Sequence, residues 1–156
     1  MTKHLVLVYG SLKSGFHNHD WLGEHAEPMG DACTLDHFAM VAGPGFPFAL
    51  ETQHAPNAPA GFLAGELYAV DDDTLDALDR LESHPSFYRR REVTVVPDDE
   101  ALPVVKAWLY VLTPYKAIAV RVKARLWNDY VAPVNNRLTW TPELAGYDAS
   151  ERDAAS

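Results

Sequence analysis

The sequence predicts an α+β domain in which strands enclose most of the core and one helix packs outside. Two observations predict it. Short apolar or alternating runs, punctuated by glycine and proline, recur between Leu5 and Leu112, the pattern of buried and half-buried strands. One segment, Asp71 to Glu82, instead repeats leucine every three residues behind a run of acids, the pattern of an amphipathic helix with its start signal. No internal repeat is visible, so these elements are read as layers around one core.

Leu5 to Val8 is a short apolar run ending at Tyr9-Gly10 and reads as a fully buried strand. Gly10 to Gly15 is a turn-rich loop, and polar residues continue to Asp20. Asp31 to Ala42 and Phe46 to Leu50 are the next strands, broken by Gly43-Pro44-Gly45. Gln53 to Pro59 is expected to be an exposed loop, and Gly65 to Val70 a further strand. Asp71-Asp72-Asp73 open the helix, where free N–H groups and partial positive charge favour acids. Its buried stripe is Leu75, Leu78 and Leu81. Pro85 disfavours helical geometry at His84, so the helix is expected to stop just after Glu82. Glu92 to Val96 and Lys106 to Leu112 are strands. Lys116 to Trp127 fits two readings: Ile118, Val120 and Val122 alternate as in a strand, while the length suits a helix. Residues 1–147 are expected to form one domain, and Asp148 to Ser156 a disordered polar tail.

The chain has 156 residues, of which 47% are apolar and 22% charged, enough to bury a core without staples. One cysteine, Cys33, allows no internal disulfide and reads as a small buried hydrophobe. Met1-Thr2-Lys3-His4 does not open a cationic, apolar leader, and no apolar run approaches the roughly 20 residues of a membrane helix. A cytoplasmic, reducing location is therefore expected, with no membrane partner. The formal net charge of −9 repels phosphates, so nucleic acid is not an expected partner. The one basic cluster, Arg89-Arg90-Arg91, is short and lies against a strand, where a local anion site is the most it offers.

Two segments carry candidate chemistry. In Val8-Tyr9-Gly10-Ser11-Leu12-Lys13-Ser14-Gly15 a strand runs straight into glycine and serine. Such a loop presents successive backbone N–H groups that hold a carboxylate or an oxyanion; a plain connector is the competing reading. It is not a phosphate loop, because no Gly-Lys-Ser/Thr triplet follows. The second is Leu81-Glu82-Ser83-His84-Pro85. A carboxylate at the end of a helix faces the negative end of the dipole, and an apolar setting raises its pKa further. Both effects suit proton transfer near neutral pH; a solvated last-turn glutamate is the bland alternative. His17-Asn18-His19-Asp20 holds a His-x-His pair but no third or fourth metal ligand, and Gly-x-Ser-x-Gly around Ser11 is absent.

Read together, the two segments carry a resemblance. Tyr9-Gly10-Ser11-Leu12-Lys13-x-Gly15, with Asn18-His19 shortly after, resembles the opening motif of the γ-glutamylcyclotransferase superfamily. The likeness is closest to its γ-glutamylamine cyclotransferase, or AIG2-like, branch. Gly65 to Asp71, the pattern Leu78-Asp79-x-Leu81-Glu82-x-x-Pro85-x-x-Tyr88-x-Arg90, and the strand around Trp108 to Tyr110 keep that family's order. The motifs span about residues 5–113. The resemblance implies a small mixed β-barrel of the γ-glutamylcyclotransferase-like type, with helices outside and an enclosed pocket. It places the catalytic glutamate on Glu82 and the substrate loop on Tyr9, Gly10, Ser11 and Leu12. It implies a small-molecule γ-glutamyl substrate and neither metal nor cofactor.

The reaction it implies is cyclisation of a γ-glutamyl amine or γ-glutamyl amino acid to 5-oxoproline. Glu82 would take a proton from the attacking α-amine and return it to the leaving nitrogen. Rival readings are a relative dedicated to a γ-glutamyl amino acid or acyl intermediate, and a non-catalytic binding protein on the same barrel. The segment after Pro114, with Trp127, Asn135-Asn136 and Trp140, lies outside the motifs. It is expected to cover the pocket mouth.

Overall fold

The computed structural model describes residues 3–16, 18–43, 45–127, 129–141 and Leu144, with residues 125–127 described by backbone alone. The elements are β1 (His4–Val8), β2 (Glu27–Ala42), β3 (Pro47–Glu51), β4 (Gly61–Val70), α1 (Asp72–Leu81), β5 (Tyr88–Pro97), β6 (Val105–Leu112), α2 (Pro114–Trp127) and β7 (Arg137–Leu138). The polar tail lies outside the described residues. Among those described, no helix is long and apolar enough to cross a membrane.

The sheet closes into a barrel. β2 pairs with β5, β5 with β6, β6 with β1, β1 with β4, and β4 returns to β2. The β1–β6 pair is parallel and the other four are antiparallel, so the barrel is mixed. β3 extends the end of β2, and β7 lies parallel beside β4.

Closure depends on β2, which serves three partners along 16 residues. It bends through register shifts between Pro28 and Asp31 and between Cys33 and His37. Bulges of this kind bend a strand and raise its twist. Gly30 takes φ +94° in the first shift, a conformation side chains disfavour. At the second, the Thr34 hydroxyl accepts the Leu63 N–H at 3.0 Å and so replaces a lost ladder bond.

Alternation along the strands sorts the core into two parts. Leu7 on β1, Leu67 on β4, Val93 and Val95 on β5, and Leu109 and Val111 on β6 share one cluster with Phe38, Met40 and Trp140. Side chains thus fill the barrel, as they must in one of this size. The pocket the resemblance implied is not the barrel's interior but lies at its end. Val6, Val8, Tyr110 and Leu112 point to the other face and pack with Leu75 and Leu78 of α1 and Ala117 and Ala124 of α2.

α1 follows the predicted pattern. The Asp71 carboxylate caps it by accepting the Thr74 N–H at 2.8 Å, Leu75 and Leu78 are buried, and Leu81 is half-buried. The helix ends at Leu81, with Glu82 as its cap. α2 resolves the ambiguous segment as a helix, with Pro114 in its first position, where no N–H is required. Its buried face runs through Ala117, Val120 and Ala124, while Tyr115, Ile118 and Val122 are exposed. The apparent alternation misled because, of Ile118, Val120 and Val122, only Val120 packs toward the barrel, beside the small Ala117 and Ala124.

The strands run longer than the sequence pattern. β2 begins four residues earlier, β4 reaches back to Gly61 and β5 to Tyr88. Cys33 is half-buried rather than buried, and desolvation pushes its thiol up. All three arginines of the basic cluster have carboxylate partners within the protein: Arg89 and Arg91 on Glu51, and Arg90 on Asp79. Each arginine of the cluster is thus engaged with a carboxylate of the protein itself.

Candidate active site

A cavity of about 250 Å³ opens at the end of the barrel where β1 and β6 finish and β5 begins. Tyr9, Gly10, Ser11 and Leu12 form one wall, and Leu81, Glu82 and Ser83 the other. The two segments singled out in the sequence, about seventy residues apart, therefore face the same space. Asn18, Phe46, Pro47, Phe87, Tyr88 and Tyr110 complete the lining with Leu7 and Val8.

The loop after β1 is held on several sides. Gly10 accepts from the Lys13 N–H at 3.0 Å and closes a tight turn. The Asn18 backbone and side chain donate to the Ser11 carbonyl and hydroxyl oxygens, each at 2.9 Å. His19 donates through Nδ1 to the Leu12 carbonyl at 2.9 Å, and Glu66 on β4 accepts the Ser14 N–H at 2.7 Å. Buried Lys13 reaches the Trp140 carbonyl at 2.6 Å and ties the loop to the C-terminal segment. Among the described residues no carbonyl takes the N–H of Gly10, Ser11 or Leu12. These three consecutive donors of cavity-lining residues thus have no protein partner among the described residues, an arrangement suited to an anionic oxygen.

Gly10 has a packing reason of its own. A Cβ there would lie 2.6 Å from Pro47 Cδ, so the missing side chain lets the loop seat against β3. A bulky residue at this position would disturb the protein before it obstructed any ligand.

Glu82 is set by the end of α1. Its N–H bonds back to the Leu78 and Arg80 carbonyls, and Ser83 turns the chain with φ +52°. Pro85 prevents the helix from continuing. The carboxyl is largely buried, with no hydrogen-bond partner among the described residues, and desolvation pushes its pKa up to about 7. Burial disfavours the charged form, and among the described residues no cation pairs with the carboxyl to oppose it. A base of this kind titrates where it can both take and give a proton. The kcat/KM of any reaction that needs it as a carboxylate falls about tenfold per pH unit below its pKa. The acid limb of the pH profile is expected near pH 7, and a limb near pH 4.5 would show an ordinary solvated glutamate.

The tyrosines contribute rings rather than free hydroxyls. Tyr9 donates to the Tyr110 carbonyl at 2.6 Å, Tyr88 to the Pro47 carbonyl at 3.1 Å, and Tyr110 to Asp79 Oδ1 at 2.6 Å. Burial pushes the Tyr9 and Tyr88 hydroxyls well above their ordinary range. They are poor acids at neutral pH, whereas the Glu82 carboxyl titrates near it.

Behind the wall, Asp79 on α1 accepts both Arg90 Nε at 2.9 Å and Arg90 Nη2 at 3.1 Å from β5, besides the Tyr110 hydroxyl from β6. The Arg90 guanidinium stacks 4.3 Å from the centre of the Trp108 ring. This network pins the end of α1, and with it Glu82, to the barrel. It accounts for the Asp79, Arg90 and Trp108-to-Tyr110 positions of the sequence pattern.

His17 lies outside the described residues, and among those described no group of three or more potential metal ligands occurs. Phe46, Pro47 and Phe87 were not singled out from the sequence. Their apolar, loop-bound character carries no signal until β3 and β5 are folded against β1. The described part of the C-terminal segment does not cover the cavity mouth as expected. β7, Leu138 and Trp140 pack on β4 and in the barrel core, and no described residue after Tyr110 lines the cavity.

Comparison with known proteins agrees with this geometry. The family model described as "Gamma-glutamyl cyclotransferase, AIG2-like" matches residues 6–129. The match takes in α2, beyond the last motif legible in the sequence. A Methanocaldococcus jannaschii protein provisionally named a gamma-glutamylcyclotransferase is 33% identical, over 80% of this chain and 96% of its own. The human gamma-glutamylaminecyclotransferase is 39% identical over 58% of this chain and 61% of its own. The crystal structure of an AIG2-like protein from Mus musculus superposes with a TM-score of 0.62 at 30% identity, covering 74% of this chain and 80% of that one. A match over most of the chain, on a barrel of the same kind, means that this protein belongs to the AIG2-like gamma-glutamyl cyclotransferase family.

Proposed function

We propose that this protein cyclises the γ-glutamyl group of a small γ-glutamyl amine or amino acid, releasing 5-oxoproline and the free amine, with Glu82 as general acid and base. The observation that carries the reading is the pairing of two unlike walls in one cavity. A desolvated carboxyl that titrates near 7 faces a loop with three unpartnered N–H groups.

Chemistry assigns the roles. The α-amine of the γ-glutamyl group attacks its own γ-carbonyl and closes a five-membered ring. The attack is intramolecular, so holding the chain bent supplies much of the acceleration. The Glu82 carboxylate accepts the proton that the amine loses on attack. It then donates that proton to the departing nitrogen, which leaves as a neutral amine rather than an anion. The N–H groups of Gly10, Ser11 and Leu12 hold an anionic oxygen of the substrate, either its α-carboxylate or the oxyanion formed at the γ-carbon.

The test is a panel of γ-glutamyl amines and γ-glutamyl amino acids assayed for 5-oxoproline. Release from at least one member is expected, and the ranking identifies the leaving group. Binding of the panel without release would instead support the non-catalytic reading.

A further inference from the structure

We propose that Asn18 is a positioning residue that commits the Ser11 hydroxyl as a donor into the cavity. The inference rests on the reading above, in which the loop wall holds an anionic oxygen of the γ-glutamyl group.

A serine hydroxyl has a single hydrogen to donate and lone pairs to accept with. Ser11 Oγ accepts from Asn18 Nδ2 at 2.9 Å, so its own hydrogen must point away from Asn18. No described residue takes that hydrogen. Both residues line the cavity, and the N–H groups beside them are also without partners. The tyrosine hydroxyls of the cavity wall already donate to protein oxygens and cannot take this role. Ser83 also lines the cavity, but beside Glu82 on the opposite wall. On the loop side, Ser11 is the hydroxyl free to add a fourth donor to the three N–H groups.

Asn18 is itself fixed. Its backbone N–H bonds to the Ser11 carbonyl and its carbonyl accepts the Trp21 N–H at 3.1 Å, at the start of the turn that His19–Leu22 form. These bonds hold the Asn18 backbone where its Nδ2 reaches Ser11 Oγ. Without that amide the hydroxyl can rotate, and part of the population turns its hydrogen from the cavity.

A double-mutant cycle separates this from a merely structural role. The variants are Ser11→Ala, Asn18→Ala and the pair, each followed by kcat/KM for a turned-over γ-glutamyl compound, Kd for 5-oxoproline, and thermal melting. Ser11→Ala is expected to lower kcat/KM by roughly 10- to 100-fold, the range for a hydrogen bond to a charged group. Asn18→Ala is expected to cost about 3- to 10-fold alone, since it frees the donor without deleting it. In the Ser11→Ala background it is expected to cost almost nothing further. If Asn18→Ala costs the same factor in both backgrounds, or lowers the melting temperature while leaving kcat/KM and Kd unchanged, the inference is wrong. A parent protein that binds 5-oxoproline but releases none from any γ-glutamyl compound overturns the catalytic reading alone, and the cycle is then read on Kd. One that neither binds nor releases overturns both.

Discussion

Glu82→Gln is expected to give a folded protein that binds the γ-glutamyl group and scarcely turns it over. Glutamine keeps the length and shape of the side chain and removes its basicity. General acid–base catalysis is typically worth about 10²–10⁴-fold, and turnover is expected to fall by at least that range. Binding of a non-cyclising γ-glutamyl analogue should change little, because the proposed holding groups lie on the loop across the cavity. Stability gives an independent readout. The carboxyl has its pKa raised from 4.5 to about 7 by folding, so the folded state holds a proton that the unfolded chain has released. The native state is therefore progressively destabilised as pH rises from 4.5 to 7, and the full penalty remains above that. At 1.36 kcal/mol per unit the shift corresponds to at most roughly 3 kcal/mol. The variant should thus match the parent at pH 4 and exceed it at pH 8 in urea unfolding. A solvated structural glutamate predicts full activity, and a partner in a salt bridge predicts lost stability at pH 8. Release of 5-oxoproline by the variant at the parent rate would remove Glu82 from the mechanism.

What was legible in the sequence is what local chemistry determines. The acids ahead of Leu75, the leucine stripe and Pro85 define α1 and its end almost to the residue, and so they place Glu82. The glycine and serine after β1 mark a loop with spare donors, and those donors have no partner among the described residues. The motif order then joined the two segments, which no periodicity could do. Residues whose meaning depends on a distant partner stayed hidden. β2 was read short because its bulges interrupt the alternation, although its length is what closes the barrel. α2 is ambiguous because the residues it buries fully are alanines, while two of its β-branched residues are exposed. Phe46 and Phe87 reach the cavity only through the β2–β3 turn and the approach to β5. Asn18 was noticed as part of a motif, while its bond to Ser11 spans a loop whose course no pattern gives.

The Asp79 network makes the largest stability prediction. Asp79 and Arg90 are mostly buried, with side chains 18% and 19% exposed, and their bidentate pair also receives the Tyr110 hydroxyl. Asp79→Leu removes the acceptor of all three bonds and leaves a guanidinium and a hydroxyl without it. Breaking a buried pair from one side typically costs about 3–5 kcal/mol, because the remaining charge stays desolvated. Loss of that size is expected in urea unfolding of Asp79→Leu. The cost comes from the orphaned partners more than from the missing attraction, and a triple variant tests that. Asp79→Leu, Arg90→Met and Tyr110→Phe together remove the acceptor and every donor it served, while Met keeps an apolar stem over the Trp108 ring. The triple variant is expected to recover most of the lost stability, since swapping a whole buried ionic group for apolar side chains is often nearly neutral. Tyr110 and Leu81 both line the cavity, so activity reports on the second job of the network. If the Asp79 side chain anchors the end of α1, the triple variant regains stability but not the parent kcat, because only backbone-borne bonds such as Tyr88 N–H to the Glu82 carbonyl then tie this segment to β5. Full recovery of both would show that packing of Leu75 and Leu78, with the remaining Tyr88 and Arg90 backbone bonds to the segment after α1, suffices to place Glu82. No recovery of stability would show that the ion pair itself is net favourable in this protein.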